Sequence, residues 1–249
     1  MVTTPVMIVT PIWRPALDES EARLVRVTDR TNASIPRVFI SPRGMDVTWY
    51  ARHFPDWEIR FIGQQHLANV TAYSAWMASP DPYRLFSDAS VLIVCQTDAV
   101  LVRSVLELPA QTFDFLGAPW SPPVRVFRVG HRMAVSSSTG GGPLHARLFG
   151  QRLRVGNGGL SIRRTSAFEE VAARLAERFP DHLRSRVHED VYFAALGPTE
   201  GLAVADHVLA GSIFCESGAR NLDAPGALWG FHGLQLWNPS LAVRIMESE

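Results

Sequence analysis

Three places in the chain carry groups able to hold a metal ion or move a proton. The first is Asp98, in "SVLIVCQTDAVLV" (Ser90 to Val102), where an apolar, mostly β-branched run delivers Gln96, Thr97 and Asp98 and then turns apolar again. The second is the acid pair Glu189-Asp190 in "HEDV", and the third is His232 in "GFHG". Carboxylates and imidazole are the side chains of general acid–base catalysis and of metal ligation. A fourth stretch, "RVGNGGLSIRR", passes through four turn residues, Gly156 to Gly159, and glycines there let backbone approach a ligand closely. Each feature also has a plainer explanation. A strand-end Asp is often a turn residue or helix cap, and paired acids suit the first turn of a helix. A single His among aromatics is often structural, and Asn157-Gly158 reads as a hairpin turn. No one of them is specific alone; their order along the chain says more.

The elements that must position these residues read as alternating strands and helices. "VMIVTP" (Val6 to Pro11) is a buried strand stopped by a proline, and Leu17 to about Arg30 has helical spacing. "RVFISP" and "EIRFIG" are further strands, with the short helix "TWYARHF" between them. "VTAYSAWMAS" is a helix broken by Pro80 and Pro82, and Val91 to Cys95 is the fourth strand. This alternation implies an α/β fold with a mostly parallel central sheet flanked by helices. Ligands bind such sheets at the carboxyl ends of the strands, which is where Gln96 to Asp98 lie.

The second half is less regular. After "FDFLGAPW" comes a tract, about 121–151, containing the low-complexity "AVSSSTGGGP". It is expected to be a flexible surface loop, or a lid that orders over substrate. Ser166 and Glu169 have capping-box spacing and would open a helix with Phe168, Val171, Ala172, Leu175 and Phe179 on one face. No internal repeat or linker is evident, so 1–249 reads as a single domain.

Composition excludes several classes. The 249 residues hold 24 acids and 24 bases, for a net charge of zero, and every base is Arg. Without a basic excess or a basic run, nucleic acid is not an expected partner. The two cysteines, Cys95 and Cys215, lack metal-type spacing and read as small buried thiols. The N-terminus has no signal-peptide pattern, and no apolar run reaches the roughly 18–20 residues needed to span a bilayer. The expected location is the cytoplasm. Neutral charge and the lack of an amphipathic basic helix give no support for firm membrane attachment.

"LIVCQTDAVL", "FDFLGAPW", "VGNGGLSIRR", "HEDVYF", "FCES" and "GFHG", in this order, resemble the GT-A-fold nucleotide-sugar glycosyltransferases. More closely, the sequence is similar to DUF5672, a glycosyltransferase-like family of bacteria and fungi. The resemblance implies a GT-A-like, Rossmann-like domain with a nucleotide-binding half (1–98) and an acceptor-side half (99–249). Gln96-Thr97-Asp98 takes the place of the Asp-x-Asp motif, which holds Mn2+ or Mg2+ against the donor diphosphate. Asp98 is then a metal ligand, while Gln96 replaces the first acid and would touch ribose or a metal-bound water. His232 matches the late histidine that completes the metal site. Asn157, Gly158 and Gly159 match the loop beside the donor sugar, and Thr10 and Pro11 would lie near the nucleotide base. Glu189-Asp190 matches the acidic motif on the acceptor side, where Asp190 is the general base in inverting members.

The implied function is metal-assisted transfer of a sugar from a nucleotide-sugar, foremost a UDP-sugar, to a saccharide or other hydroxyl-bearing acceptor. With Gln96 in place of an acid, the alternative is a protein that binds a nucleotide-sugar or glycan without transferring it. A metal-dependent nucleotide-diphosphate hydrolase ranks behind both, because a multi-acid metal cluster is lacking. Trp120, Trp229, Phe231 and Trp237 are candidates for stacking on sugar rings.

Overall fold

A computed structural model of the chain describes residues 6–108, 112–130, 132–136, 142–179 and 187–247. The central sheet has six strands: β1 (Val6–Pro11), β2 (Arg37–Pro42), β3 (Glu58–Ile62), β4 (Val91–Cys95), and later in the chain β6 (Phe115–Gly117) and β10 (Leu160–Arg164). Their order is β3-β2-β1-β4-β10-β6. The first four run parallel, and β10 runs antiparallel to both β4 and β6.

Successive side chains of these strands enter cores on opposite faces. Met7, Val9, Val38, Ile40, Leu92 and Val94 pack with Tyr73, Trp76, Tyr83, Phe168 and Phe193 on one face. Ile8, Phe39, Ile93 and Cys95 pack with Val25, Tyr50, Phe54 and Trp57 on the other. A parallel sheet covered on both faces needs continuous apolar strands, which is why "VMIVTP" and "VLIVC" do not alternate. The first helix spans Glu19–Thr31, two residues later than the sequence suggests. Asp18 caps it by accepting a hydrogen bond from the Glu21 amide at 2.9 Å.

Two small sheets complete the molecule. β5 (Ala99–Leu101) pairs antiparallel with β12 (Gly230–His232), which pairs in parallel with β11 (Phe214–Cys215). The third sheet is β8 (Arg132–Ser136), β7 (Pro119–Val129) and β9 (Gln151–Val155), in that order and antiparallel throughout.

Three expectations are corrected here. Most of the tract read as irregular is β7, β8 and the helix Leu144–Phe149. Val124, Val126, Leu153 and Val155 alternate inward as strand residues should, a period obscured in the sequence by the neighbouring prolines. The low-complexity residues 137–141 lie outside the described residues. Asn157-Gly158 does not close a hairpin, because β9 and β10 belong to different sheets. Nor do Ser166 and Glu169 form a capping box. β10 runs directly into the helix Thr165–Arg178, so Ser166 lies inside the first turn, and Glu169 pairs instead with Arg84 at 3.0 Å. Among the described residues, no helix is long and apolar enough to cross a membrane.

Candidate functional site

β4 ends at Cys95, and the chain turns within four residues into β5. The Gln96 amide donates to the Gly159 carbonyl at 2.8 Å, and the Ala99 amide donates back to the Gln96 carbonyl at 2.9 Å. Asp98 therefore projects from a tight turn at the carboxyl end of a central strand, with its side chain half exposed. β12 pairs with β5 so that His232 faces Ala99, and the Gly233 amide donates to the Asp98 carbonyl at 3.1 Å. That register brings together residues far apart in sequence: His232 Nε2 stands 3.6 Å from Asp98 Oδ1.

The two imidazole nitrogens differ in role. Nδ1 lies 3.2 Å from Glu216 Oε1, which also accepts from Asn157 Nδ2 at 2.9 Å. Asn157 Nδ2 also approaches Nδ1, at 3.1 Å. In the neutral tautomer that donates from Nδ1 to the Glu216 carboxylate, Nε2 carries the lone pair. Nε2 is buried and has no hydrogen-bond partner among the described residues. A carboxylate holding the far nitrogen of a histidine is the arrangement that orients metal-ligating imidazoles. Burial opposes the charged imidazolium, but the Glu216 hydrogen bond and the nearby Asp98 and Asp190 outweigh it and raise the His232 pKa.

The glycine loop passes between this pair and the second pair of acids. Asn157 is buried and its side chain folds inward, accepting from the amides of Gly159 (2.8 Å) and Leu160 (3.2 Å). A Cβ on Gly159 would lie 2.2 Å from His232 Nε2 and 2.7 Å from Gln96 Oε1, so only glycine fits there. A Cβ on Gly158 would meet Glu189 Oε1 at 2.2 Å. The Gly158 amide donates to Asp190 Oδ2 at 3.2 Å, and the Val191 amide donates to Asp190 Oδ1 at 2.6 Å. Burial, joined by the neighbouring Glu189 charge, pushes the Asp190 carboxyl up to about 7 despite these two donors.

Glu189 has a different task. It is buried against Arg163, which is itself fully buried, with Nη2 2.9 Å from Oε1. Ser74 donates its hydroxyl to Glu189 Oε2 at 3.2 Å and accepts from the Glu189 amide at 2.6 Å. Arg163 also donates to Tyr83 Oη and Ser161 Oγ, each at 3.0 Å. Glu189 thus belongs to a buried network that ties the helix Glu189–Leu196 to the helix Val70–Met77 and the helix Asp81–Leu85 beneath the glycine loop.

The remaining sequence-predicted residues divide into two groups. Pro11 and Gln96 line a cleft of about 280 Å3, together with Trp13, Asn69 and Tyr73. Trp13 is half exposed, and the Tyr73 hydroxyl is buried with no hydrogen bond of normal geometry. Thr10 and Thr97 are committed to the fold. Thr10 donates to the Cys95 carbonyl at 2.7 Å, and Thr97 donates to Glu21 Oε1 at 2.9 Å. Of the four aromatics, Phe231 is a core residue and Trp120 is buried but lines a cavity with Glu216, while Trp229 stacks on Arg103 at 4.0 Å and Trp237 on Arg220 at 4.4 Å. Sequence reasoning assigned no role to Glu216, Arg163, Ser74 or Tyr73. Glu216 and Arg163 do stand inside the quoted "FCES" and "VGNGGLSIRR" stretches.

Among the described residues no three His, Cys, Asp or Glu side chains converge as a metal site. Asp98 and His232 offer two ligating atoms from one side only.

Residues 56–219 match the family described as "Protein of unknown function (DUF5672)". No curated protein matches. Among solved structures, the chain is similar to the WbbM bifunctional glycosyltransferase in its apo form, at 12% identity and a TM-score of 0.48. That likeness covers 92% of this chain and 46% of the other, so the chain spans under half its length. It is also similar to the PaToxG glycosyltransferase, at 14% identity and a TM-score of 0.38, over 78% of this chain and 69% of that one. The family match takes in Asp98, the glycine loop, Glu189-Asp190 and Glu216, and covers well over half of the sequence: the chain belongs to the DUF5672 family.

Proposed function

We propose that this protein, as one GT-A-like domain, is a glycosyltransferase that moves a sugar from a nucleoside-diphosphate sugar, foremost a UDP-sugar, to an acceptor hydroxyl. The observation that carries this reading is the two-sided arrangement about Gly158-Gly159. The unpartnered His232 Nε2 and the Asp98 carboxylate stand on one side, and the Asp190 carboxyl, its pKa raised to about 7, stands on the other.

The cleft of Pro11, Trp13, Tyr73 and Gln96 lies at the carboxyl ends of β1 and β4 and would take the nucleoside. Asp98 and His232 would hold Mn2+ or Mg2+, and the unpartnered Nε2 oriented by Glu216 fits that use. Two protein ligands suffice for an ion that takes its other oxygens from diphosphate and water. When bound, such an ion neutralises charge that develops on the departing nucleoside diphosphate. Gly159 keeps the imidazole and Gln96 clear for the donor.

Asp190 is the general base. Its carboxylate takes the proton of the acceptor hydroxyl while that oxygen forms a bond to the anomeric carbon. The bond from that carbon to the diphosphate oxygen breaks, and the nucleoside diphosphate leaves with the electron pair. A base with a pKa near working pH suits this step. The amides of Gly158 and Val191 aim the carboxylate. Glu189 is a positioning residue held by Arg163, not a group that meets substrate.

Gln96 favours a second reading, in which a nucleotide-sugar is bound without transfer. Incubation with a panel of UDP- and GDP-sugars and sugar acceptors, followed by product analysis, separates the two. The transferase reading expects a glycosylated product, with transfer about 100- to 10,000-fold slower in D190N, the range for loss of a general base. Donor binding without product from any pairing supports the binder. Undiminished transfer by D190N overturns the role of Asp190.

A further inference from the structure

The neutral total charge conceals a sharp segregation. Between Asp114 and Glu169 the sequence contains no acid, yet it contains eight arginines. The rest of the chain therefore carries 24 acids against sixteen arginines. The structure gathers most of the basic stretch into one unit, the β8-β7-β9 sheet with the helix Leu144–Phe149 beside it.

Arginines elsewhere are largely paired: Arg14, Arg23, Arg37, Arg60, Arg84, Arg103, Arg163, Arg164, Arg174 and Arg178 all meet carboxylates. In this unit the pattern reverses. Among the described residues, Arg125, Arg128, Arg147, Arg152 and Arg154 have no carboxylate partner, and Arg128 lies only over the Phe179 ring, at 5.7 Å. Arg125 and Arg152 are direct cross-strand neighbours, a like-charge pairing that disfavours the sheet unless something anionic covers it.

The same unit exposes large apolar side chains. Leu144, Leu148 and Phe149 are 65%, 59% and 74% exposed, and Val129 at the end of β7 is 64% exposed. Of the helix Leu144–Phe149, only Ala146 is buried. Phe149 also borders a groove of about 320 Å3 with Arg128 and Met133 in its wall. Uncompensated arginines among protruding Leu and Phe side chains have the composition of an interfacial surface, on which apolar groups would enter the headgroup boundary while guanidinium groups bind lipid phosphates. A soluble polyanion would account for the arginines but not for the leucines and Phe149.

We propose that the β7–β9 sheet and the helix Leu144–Phe149 dock this protein on an anionic membrane surface. The site sits beside that surface: Arg154 and Glu216, the carboxylate that holds His232, line one cavity of about 290 Å3. An acceptor presented at the bilayer would reach the chemistry from this side. The docking itself does not depend on the transferase reading, since its test needs no substrate.

The test is co-sedimentation of the full chain with vesicles of phosphatidylcholine alone and with added phosphatidylserine, at low and high salt. Binding is expected only with phosphatidylserine, weakening as salt rises. R147Q/R152Q, at two exposed positions, should bind about 30-fold more weakly, since each arginine near the surface contributes about 1 kcal/mol and 1.4 kcal/mol is tenfold. L148S/F149S should release the protein from vesicles while its unfolding midpoint stays that of the parent. No sedimentation with phosphatidylserine at low salt overturns the proposal. So does undiminished binding by either variant, or L148S/F149S losing none of its affinity while heparin competes fully, which would make the surface a site for soluble polyanions.

Discussion

Arg163 and Glu189 offer the sharpest test of how the acidic side of the site is held. Arg163 is fully buried and Glu189 nearly so, with charged atoms 2.9 Å apart. R163M would leave the Glu189 carboxylate buried with only the Ser74 hydroxyl as side-chain partner, and would strip donors from Tyr83 and Ser161. Breaking a buried pair from one side costs about 3–5 kcal/mol. A domain has only about 5–15 kcal/mol of stability in total. At about 2–4 °C per kcal/mol for a chain of this length, the midpoint should fall by about 6–20 °C. R163M/E189Q removes both charges and keeps a group able to bond Ser74, so it should recover about 2 kcal/mol or more of the loss. Urea unfolding of the wild type, both single variants and the double variant gives the coupling directly. A cost below about 1 kcal/mol for R163M, or a double variant no more stable than R163M, would refute the claim that the pair is a buried electrostatic unit.

Asp190 gives a pH signature of known sign. Its folded pKa is raised from 3.8 to about 7, so folding favours the protonated form, and stability should be lost as pH rises between those values. D190N should flatten that slope; an unchanged slope from pH 4 to 7 would mean another group is responsible. Transfer should rise with pH through about 7 in the wild type, and E189Q, which removes the neighbouring charge, should move that rise to lower pH. G159A would place a methyl 2.2 Å from His232 Nε2, so it should cost about 1–3 kcal/mol of stability and abolish metal-dependent donor binding; wild-type binding in this variant would show that the imidazole is not part of the site.

The parallel sheet was legible because fully buried strands need unbroken apolar runs, and Val91–Cys95 has the bounds its sequence suggests. Asp98 was legible as a strand-end acid for the same reason. What joins Asp98 to His232 was not, since the β5–β12 register depends on pairing strands about half the chain apart, His232 with Ala99. Glu216 was missed although it stands in a quoted stretch, because nothing local says that a carboxylate will reach an imidazole 16 residues later. Being near a strand end does not fix a side chain's direction, and the hydroxyls of Thr10 and Thr97 both turn into the fold. Asn157 likewise spends its amide on its own loop and on Glu216. The β7–β9 sheet was hidden by turn residues that a period-2 count would have outweighed. The arginine segregation was visible in the sequence but vanished in a whole-chain charge sum.

The most direct measurement is thermal unfolding of the protein with UDP, with Mn2+ or EDTA, beside the D98N variant. A ligand at 100 times its dissociation constant adds about 2.7 kcal/mol, or about 5–11 °C here. A metal-binding donor site at Asp98 and His232 expects that rise with UDP plus Mn2+, its loss in EDTA, and its loss in D98N. A rise of the same size in EDTA or in D98N would contradict the metal site, and no rise with UDP under any condition would contradict the donor site itself.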